Sequence, residues 1–224
     1  MTPERREPRT LSDVAERSLR EAIISGELPP GAPLLIQEQV ERLEMSSVPI
    51  REALRYLERS GLVERRPHHG TSVAPMSSDD LHDTYDMRIE LETFAVRRAA
   101  ERITEQEHLQ LEALLAEYTE TWQDDSDRTR HLHRELHLSI YAIAGSVWLG
   151  RLVTMLWDNS ERYRRLSIEY RPKADVLADH HLLVELCAAH DSAGAAAALQ
   201  AHLHKNIEGA RKALSKRAQA DPSI

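Results

Sequence analysis

Residues 46–57 read Ser-Ser-Val-Pro-Ile-Arg-Glu-Ala-Leu-Arg-Tyr-Leu, and this stretch carries the signals of an amphipathic helix. Ser46 or Ser47 can cap its start, because a serine oxygen accepts a hydrogen bond from the free amides of a first helical turn. Pro49 falls in that turn, where its missing N–H costs nothing. Apolar side chains recur on one face and arginines on another: Ile50, Ala53, Leu54 and Leu57, against Arg51, Arg55 and Arg59.

The neighbouring residues predict a recognisable motif around this helix. A shorter amphipathic segment, residues 35–43, precedes it after a tight connection. Residues 62–66 and 71–74 follow as two short predicted strands, joined by the Pro-His-His-Gly sequence of residues 67–70. Helix, tight turn, basic helix and hairpin together predict a winged helix-turn-helix, whose second helix fits the DNA major groove. A helical hairpin with a solvated arginine face is the alternative interpretation.

The same region resembles the GntR-type bacterial repressors. Residues 19–31 (Leu-Arg-Glu-Ala-Ile-Ile-Ser-Gly-Glu-Leu-Pro-Pro-Gly), 48–54 (Val-Pro-Ile-Arg-Glu-Ala-Leu) and 57–63 (Leu-Glu-Arg-Ser-Gly-Leu-Val) come in the order typical of that family. The resemblance covers residues 10–75. It implies that arginines of the recognition helix and the wing tip contact DNA.

Arg51 and the wing tip at His69 and Gly70 match those family positions, whereas Ser47 stands where an arginine is usual and Gln37 where another basic residue can occur. The usual pattern of base contacts therefore does not transfer as a whole. The predicted DNA-contacting residues are Ser46, Ser47, Pro49, Arg51, Arg55, His69 and Gly70.

The charge of the chain restricts how it can attract DNA. Its 224 residues have a net charge of −8, so the chain as a whole lacks the basic signature of a nucleic-acid binder. Residues 47–66 carry five Arg against three Glu, a local excess of two. Attraction to DNA must come from this focused patch. One cysteine, no apolar membrane-spanning run and no signal-peptide core predict a cytoplasmic protein.

The chain length allows one large domain or two small ones, and we place a domain boundary after residue 76. Residues 1–76 form the predicted DNA-binding domain. Residues 77–224 show only helical periodicity, with breaks that predict about six helices, rich in Leu and Ala. The expected fold class is therefore mainly α, a winged helix-turn-helix followed by an antiparallel helical bundle.

Eight of the twelve histidines lie between residues 131 and 204. His133 and His137 are four residues apart, so their imidazoles leave one helical face. His180 and His202 are each eleven residues from Asp191. If two helices fold back at Asp191, both histidines lie about three turns, roughly 16 Å, from the connection. The four imidazoles can then converge on one ion, for which Zn, Ni, Co or Cu suit better than Mg or Ca. Scattered core or surface histidines are the alternative; we expect His131, His181, His190 and His204 on solvated faces.

Residues 78–213 also resemble the FCD ligand-binding domain that commonly follows a GntR-type DNA-binding domain, which we call the reader. The resemblance rests on residues 88–92 (Arg-Ile-Glu-Leu-Glu), on residues 136–145 and on residues 180–203. Many such domains hold a divalent metal with one aspartate and three histidines. Here the histidines match at His137, His180 and His202, and His133 occupies the aspartate's place, so either the site has four histidine ligands or His133 does not bind and water fills the position. The departure favours Zn, with Ni or Cu possible, over Mn or Mg, because a missing carboxylate makes the site less hard.

The resemblance further implies a small organic acid effector and a homodimer on a palindromic operator. Arg88 matches the family's arginine on the first bundle helix, and it can either face the effector or pair with Glu92 four residues on. Arg162, Arg164 and Arg165 are expected on a solvated face. The predicted function is a ligand-responsive DNA-binding transcription regulator, expected to be a repressor.

A histidine-ligated metalloenzyme of hydrolytic type is the alternative function. A catalytic zinc needs an open coordination position and a placed general base. The His133–His137 turn lacks the His-Glu-x-x-His order, because Glu135 stands one residue too late. Four histidines also tend to close a tetrahedral site. We therefore do not expect an enzyme.

Overall fold

The computed structural model describes residues 10–66, 70–122 and 127–220, and its first part is a winged helix-turn-helix. Helices α1 (Leu11–Ser25), α2 (Ile36–Leu43) and α3 (Ser47–Arg59) are followed by strands β1 (Val63–Arg66) and β2 (Gly70–Val73). The strands are antiparallel, with Val63 opposite Val73. The predicted motif is confirmed. Gly61 ends the basic helix in a left-handed conformation, with φ 75°.

The start of α3 differs in one detail from the sequence expectation. Ser46 occupies the N-cap position, but its side chain makes no capping hydrogen bond within the described residues. Pro49 is buried in the first turn, together with the predicted apolar stripe of α3. Packing of that stripe, more than a serine cap, therefore holds the helix in place.

The second part is an antiparallel bundle, as predicted. The described residues contain six helices here: α4 (Ser78–Arg102), α5 (Glu105–Thr121), α6 (Asp127–Ile143), α7 (Val147–Ile168), α8 (Lys173–Ala188) and α9 (Ser192–Ala220). A short connection through Asp191 folds α9 back along α8. Among the described residues, no helix is long and apolar enough to cross a membrane.

Two separate hydrophobic cores lie on either side of residues 74–76. One is built around Leu19, Ile50, Leu54 and Leu57 of the winged helix-turn-helix. The other lies among the six bundle helices and includes Trp157. Burial of apolar side chains drives the formation of each core.

Helix α7 joins the two parts, and here the expectation of a solvated arginine face is wrong. Arg162 and Arg164 are buried. Arg162 donates to the backbone oxygens of residues 74 and 75, and Arg165 donates to the Ile24 oxygen of α1. Arg20 of α1 also forms an ion pair with Asp158 of α7. Carbonyls of the neighbouring elements satisfy Arg162 and Arg165, whereas Arg164 donates from Nε to the Glu161 carboxylate of α7 itself, at 2.7 Å.

Candidate metal centre and DNA-facing surface

Four imidazoles from three helices meet inside the bundle. His133 and His137 project from α6, His180 from α8 and His202 from α9, and all four are buried. One nitrogen of each lies within 4.8 Å of the corresponding nitrogen of every other. The His180 and His202 ring centres are 4.8 Å apart, which the equal spacing from Asp191 predicts. We call these four residues the histidine cluster.

Hydrogen bonds to groups outside the cluster assign the proton on His137. Tyr141 donates its hydroxyl proton to Glu92 Oε2 at 2.6 Å. Burial and the Glu92 carboxylate raise the pKa of Tyr141 well above its usual value, so the hydroxyl keeps that proton. Its oxygen therefore accepts from His137 Nδ1, 2.9 Å away. The proton of neutral His137 consequently sits on Nδ1, which leaves an unprotonated Nε2 facing the cluster.

In His180 the proton of the neutral ring also sits on Nδ1, because of a different contact. Its Nδ1 lies 2.6 Å from the Val176 backbone oxygen, which can only accept a hydrogen bond. Nε2 of neutral His180 is therefore also unprotonated. The two Nε2 atoms of His137 and His180 are 3.1 Å apart. Two lone pairs at this distance repel unless a cation lies between them, so this pair is suited to a shared ion.

His202 is oriented by Asp179, a residue that the sequence reasoning missed. Its Nδ1 is 3.4 Å from Asp179 Oδ2, and Asn206 approaches its Nε2 at 3.3 Å. Burial acts to raise the pKa of Asp179, but hydrogen bonds from His202 and Lys205, together with Arg171, outweigh it and hold that pKa below the usual range. A carboxylate behind a metal-ligating histidine fixes the ring and its tautomer. The position of Asp179 directly before His180 was the available signal.

His133 contains the least satisfied atom of the cluster. Its Nδ1 is buried and has no hydrogen-bond partner among the described residues. An unsatisfied buried polar atom costs free energy, which coordination to a cation would remove. Burial is the main cause that lowers the pKa of all four imidazoles below 6.5. They are therefore neutral at pH 7, in the form that binds metal ions.

Arg88 forms the predicted pair with Glu92 and lies beside the cluster. Its guanidinium donates to both carboxylate oxygens of Glu92, at 2.5 and 3.1 Å, and lies over the Trp157 ring. Glu92 also accepts a hydrogen bond from the Tyr141 hydroxyl. A series of hydrogen bonds therefore runs from Arg88 through Glu92 and Tyr141 to His137. Glu92 and Trp157 are further residues that sequence reasoning did not identify as part of the site.

The other histidines lie where the sequence predicted them, on solvated faces: His131, His181, His190 and His204 are exposed. The glutamate between His133 and His137 also lies outside the cluster. Glu135 is exposed and pairs with His131 at 3.4 Å. It is therefore on the wrong face of α6 to activate water at the cluster.

The predicted DNA-contacting residues of α3 lie, with one exception, on the side of the helix away from its core. Ser46, Arg51 and Arg55 are exposed and Ser47 is half-buried, whereas Pro49 is buried and offers no surface to DNA. Gly70 begins β2 and is exposed, and His69 lies outside the described residues. The sequence analysis missed one feature here: Val48 is 62% exposed on the same side as Arg51.

Comparison with known proteins agrees with this architecture. Residues 11–73 match the model of the bacterial regulatory proteins of the gntR family, and residues 83–205 match the FCD domain. The uncharacterized HTH-type transcriptional regulator BphR of Paraburkholderia xenovorans is 30% identical, over 91% of this chain and 86% of its own length. The HTH-type transcriptional repressor RspR of Escherichia coli is 27% identical, over 88% of this chain and 87% of its own length.

A solved structure gives the same result. Escherichia coli McbR/YncC superposes with a TM-score of 0.77 at 26% identity, covering 91% of this chain and 98% of that one. The families and relatives are transcription regulators, not enzymes. With its winged helix-turn-helix and its helical second domain, the chain belongs to the GntR family of DNA-binding transcription regulators, in the group that carries an FCD domain.

Proposed function

We propose that this regulator is a metal-containing, ligand-responsive repressor in which the histidine cluster holds one divalent cation. The observation that carries the proposal is the pair of facing, unprotonated Nε2 atoms of His137 and His180, 3.1 Å apart. His133 and His202 complete a set of four neutral nitrogen ligands. An all-imidazole set favours Zn, with Ni as the next candidate. A bound cation would supply a Lewis acid able to attract a carboxylate.

A small organic acid is the effector that suits such a centre. Arg88, paired with Glu92, is the candidate effector-binding residue, and its link through Tyr141 connects it to His137. Trp157 of α7 lies beside the His133 and His137 rings, with centres 5.5 Å from each. Because α7 also contacts α1 and the residues before α4, a change at the cluster reaches the reader through a single helix.

We propose that the reader comprises residues 1–76 and the effector domain residues 77–224, and that two copies bind a palindromic operator in the cytoplasm. The two separate cores support this division. The exposed arginines Arg51 and Arg55, with Ser46, Ser47 and the wing tip at His69 and Gly70, form the proposed DNA contact. The dimer can hold its two DNA-binding domains at different spacings. An effector can change operator affinity only by the difference between its own affinities for two such spacings.

The test measures the operator affinity of metal-loaded and of chelator-stripped protein, each with and without one of a panel of carboxylic acids. We expect at least one acid to weaken binding by the loaded protein and to have little effect on the stripped protein. Equal responses of the two preparations would contradict a metal-dependent effector site.

A symmetric footprint on DNA is the expected sign of the palindromic operator, and protection of a single half-site would contradict it.

A further inference from the structure

An exposed apolar surface runs along the outside of the bundle where α4 and α7 lie side by side. Its large side chains are unusually exposed for apolar residues: Met87 49%, Phe94 49%, Trp148 70%, Leu152 40% and Met155 49%. Isolated exposed apolar residues are ordinary, but a contiguous group of this kind marks an interaction site. We call this group of five residues the α4/α7 patch.

The register of the two helices makes the patch contiguous. At one end Tyr163 of α7 contacts Ser77, and Asn159 donates to Thr84 of α4 at 3.0 Å. Met155 lies one turn before Asn159, and Met87 lies about one turn after Thr84. The antiparallel course of the helices therefore places Met155 beside Met87 on one side of the bundle.

The outer stripe of α4 has the spacing of a helix that packs against another helix. Residues 83, 87, 90, 94 and 98 are four, three, four and four positions apart. Asp83, Met87, Glu90 and Phe94 are exposed, and Arg98 is half-buried with its guanidinium over the Phe94 ring at 5.7 Å. Steps of three and four residues place these side chains along one face of the helix, as in a helix–helix seam.

The charges of this stripe identify its partner. Asp83 and Arg98 are equally far from the midpoint of residues 90–91, and so are Met87 and Phe94. Two copies of α4, packed antiparallel about that midpoint, would place Asp83 of each opposite Arg98 of the other, and Met87 opposite Phe94. Asp83 and Arg98 form no ion pair with any other side chain in the described parts of the chain, so both charges are available.

We propose that the α4/α7 patch is the homodimer surface, with an antiparallel α4 pair at its centre and a second copy of this chain as its occupant. The inference rests on the proposed homodimeric function and adds the surface and its register. Apolar side chains surrounded by polar and charged ones are the ordinary anatomy of such an interface, and Glu90 of each copy lies nearest the two-fold axis in this register. In a two-fold dimer the contact between Asp83 of one copy and Arg98 of the other occurs twice. Reversing the charge at one of these positions is therefore compensated only by the opposite reversal at its partner position in the other copy.

The test is a charge exchange in the full-length chain, read by analytical ultracentrifugation over a dilution series. Asp83→Arg alone sets arginine against Arg98 of the other copy, and Arg98→Asp alone sets aspartate against Asp83. Each variant alone should self-associate about tenfold or more weakly than the parent, because like charges then meet twice. An equimolar mixture should form heterodimers that regain most of the parental affinity, since both contacts become attractive.

Apolar variants test the same surface independently. Phe94→Glu should dissociate the dimer, and Leu109→Glu is the matched control, because Leu109 is similarly exposed but lies on α5. Metal content and thermal melting of every variant show whether it is folded. A dimeric parent whose mixed variants bind no better than either variant alone would overturn the proposed surface while leaving the homodimer intact. A parent that stays monomeric would overturn the homodimer itself and leave the patch to a different protein.

Discussion

The recognition helix α3 and the histidine cluster differ in how their polar groups are satisfied. Arg51 and Arg55 extend into solvent from a helix whose other face is packed. The four histidines lie in the core, where Tyr141, Val176 and Asp179 hold three of the rings. Water can satisfy an exposed arginine until DNA replaces it, whereas a buried imidazole nitrogen needs a partner inside the protein. The first region is therefore ready to bind and release, and the second is suited to permanent occupancy.

The largest expected effect of this difference is on stability. A chelator should lower the melting temperature of the parent protein, because an ion that binds only the folded state stabilises it by about 4 kcal/mol at a concentration 1,000 times its Kd. Differential scanning calorimetry with and without chelator measures this. His137→Ala should melt at one temperature under both conditions. A chelator effect of equal size in that variant would place the stabilising ion elsewhere.

Substitution in the recognition helix should leave stability unchanged and affect only DNA. Arg51→Ala is expected to weaken operator binding by about 1–3 kcal/mol if the guanidinium contacts a base edge. Fluorescence anisotropy with labelled operator at physiological salt measures the change. Arg59→Ala, on the same helix but nearer its end, is the control and should lose less. Parental affinity in a folded Arg51→Ala protein would remove Arg51 from the interface.

A smaller effect is expected behind the cluster. Asp179→Asn should retain the fold and reduce metal affinity about 10- to 100-fold, because the ring of His202 loses its carboxylate partner. Competition titration against a metallochromic chelator measures the affinity. Asp175→Asn, one turn earlier on α8 and exposed, should have no effect. Unchanged affinity in Asp179→Asn would show that the contact with His202 is structurally incidental.

The two regions were also unequally predictable from sequence. Local periodicity was sufficient for α3, since Ile50, Ala53 and Leu57 recur at helical spacing and the turn residues mark both ends. The proximity of His180 and His202 was predictable from their equal sequence distance to Asp191. In a helical hairpin, residues equally far from the connection in sequence lie equally far from it along the two helices. Both inferences needed only the geometry of one helix or one connection.

Contacts between helices that are distant in sequence were not accessible in this way. Nothing local to Glu92 predicts that it accepts the Tyr141 proton, and nothing local to Asp158 predicts its ion pair with Arg20. The error at Arg162 has the same origin. Its charge predicts a solvated face, whereas the backbone oxygens of residues 74 and 75, far away in sequence, accept its hydrogen bonds. Arg164 differs, because its carboxylate partner Glu161 is only three residues away on the same helix.

The central claim is that four histidines share one ion, and the ratio of metal to protein tests it most directly. Inductively coupled plasma mass spectrometry should find about one ion per chain in the parent and a sharp loss in alanine variants of His133, His137, His180 and His202. The exposed controls His131→Ala and His181→Ala should keep the parental ratio. His133→Asp should also keep it and accept harder ions such as Mn, because it restores a carboxylate. Parental metal content in all four ligand variants, or equal loss in the two controls, would contradict the site.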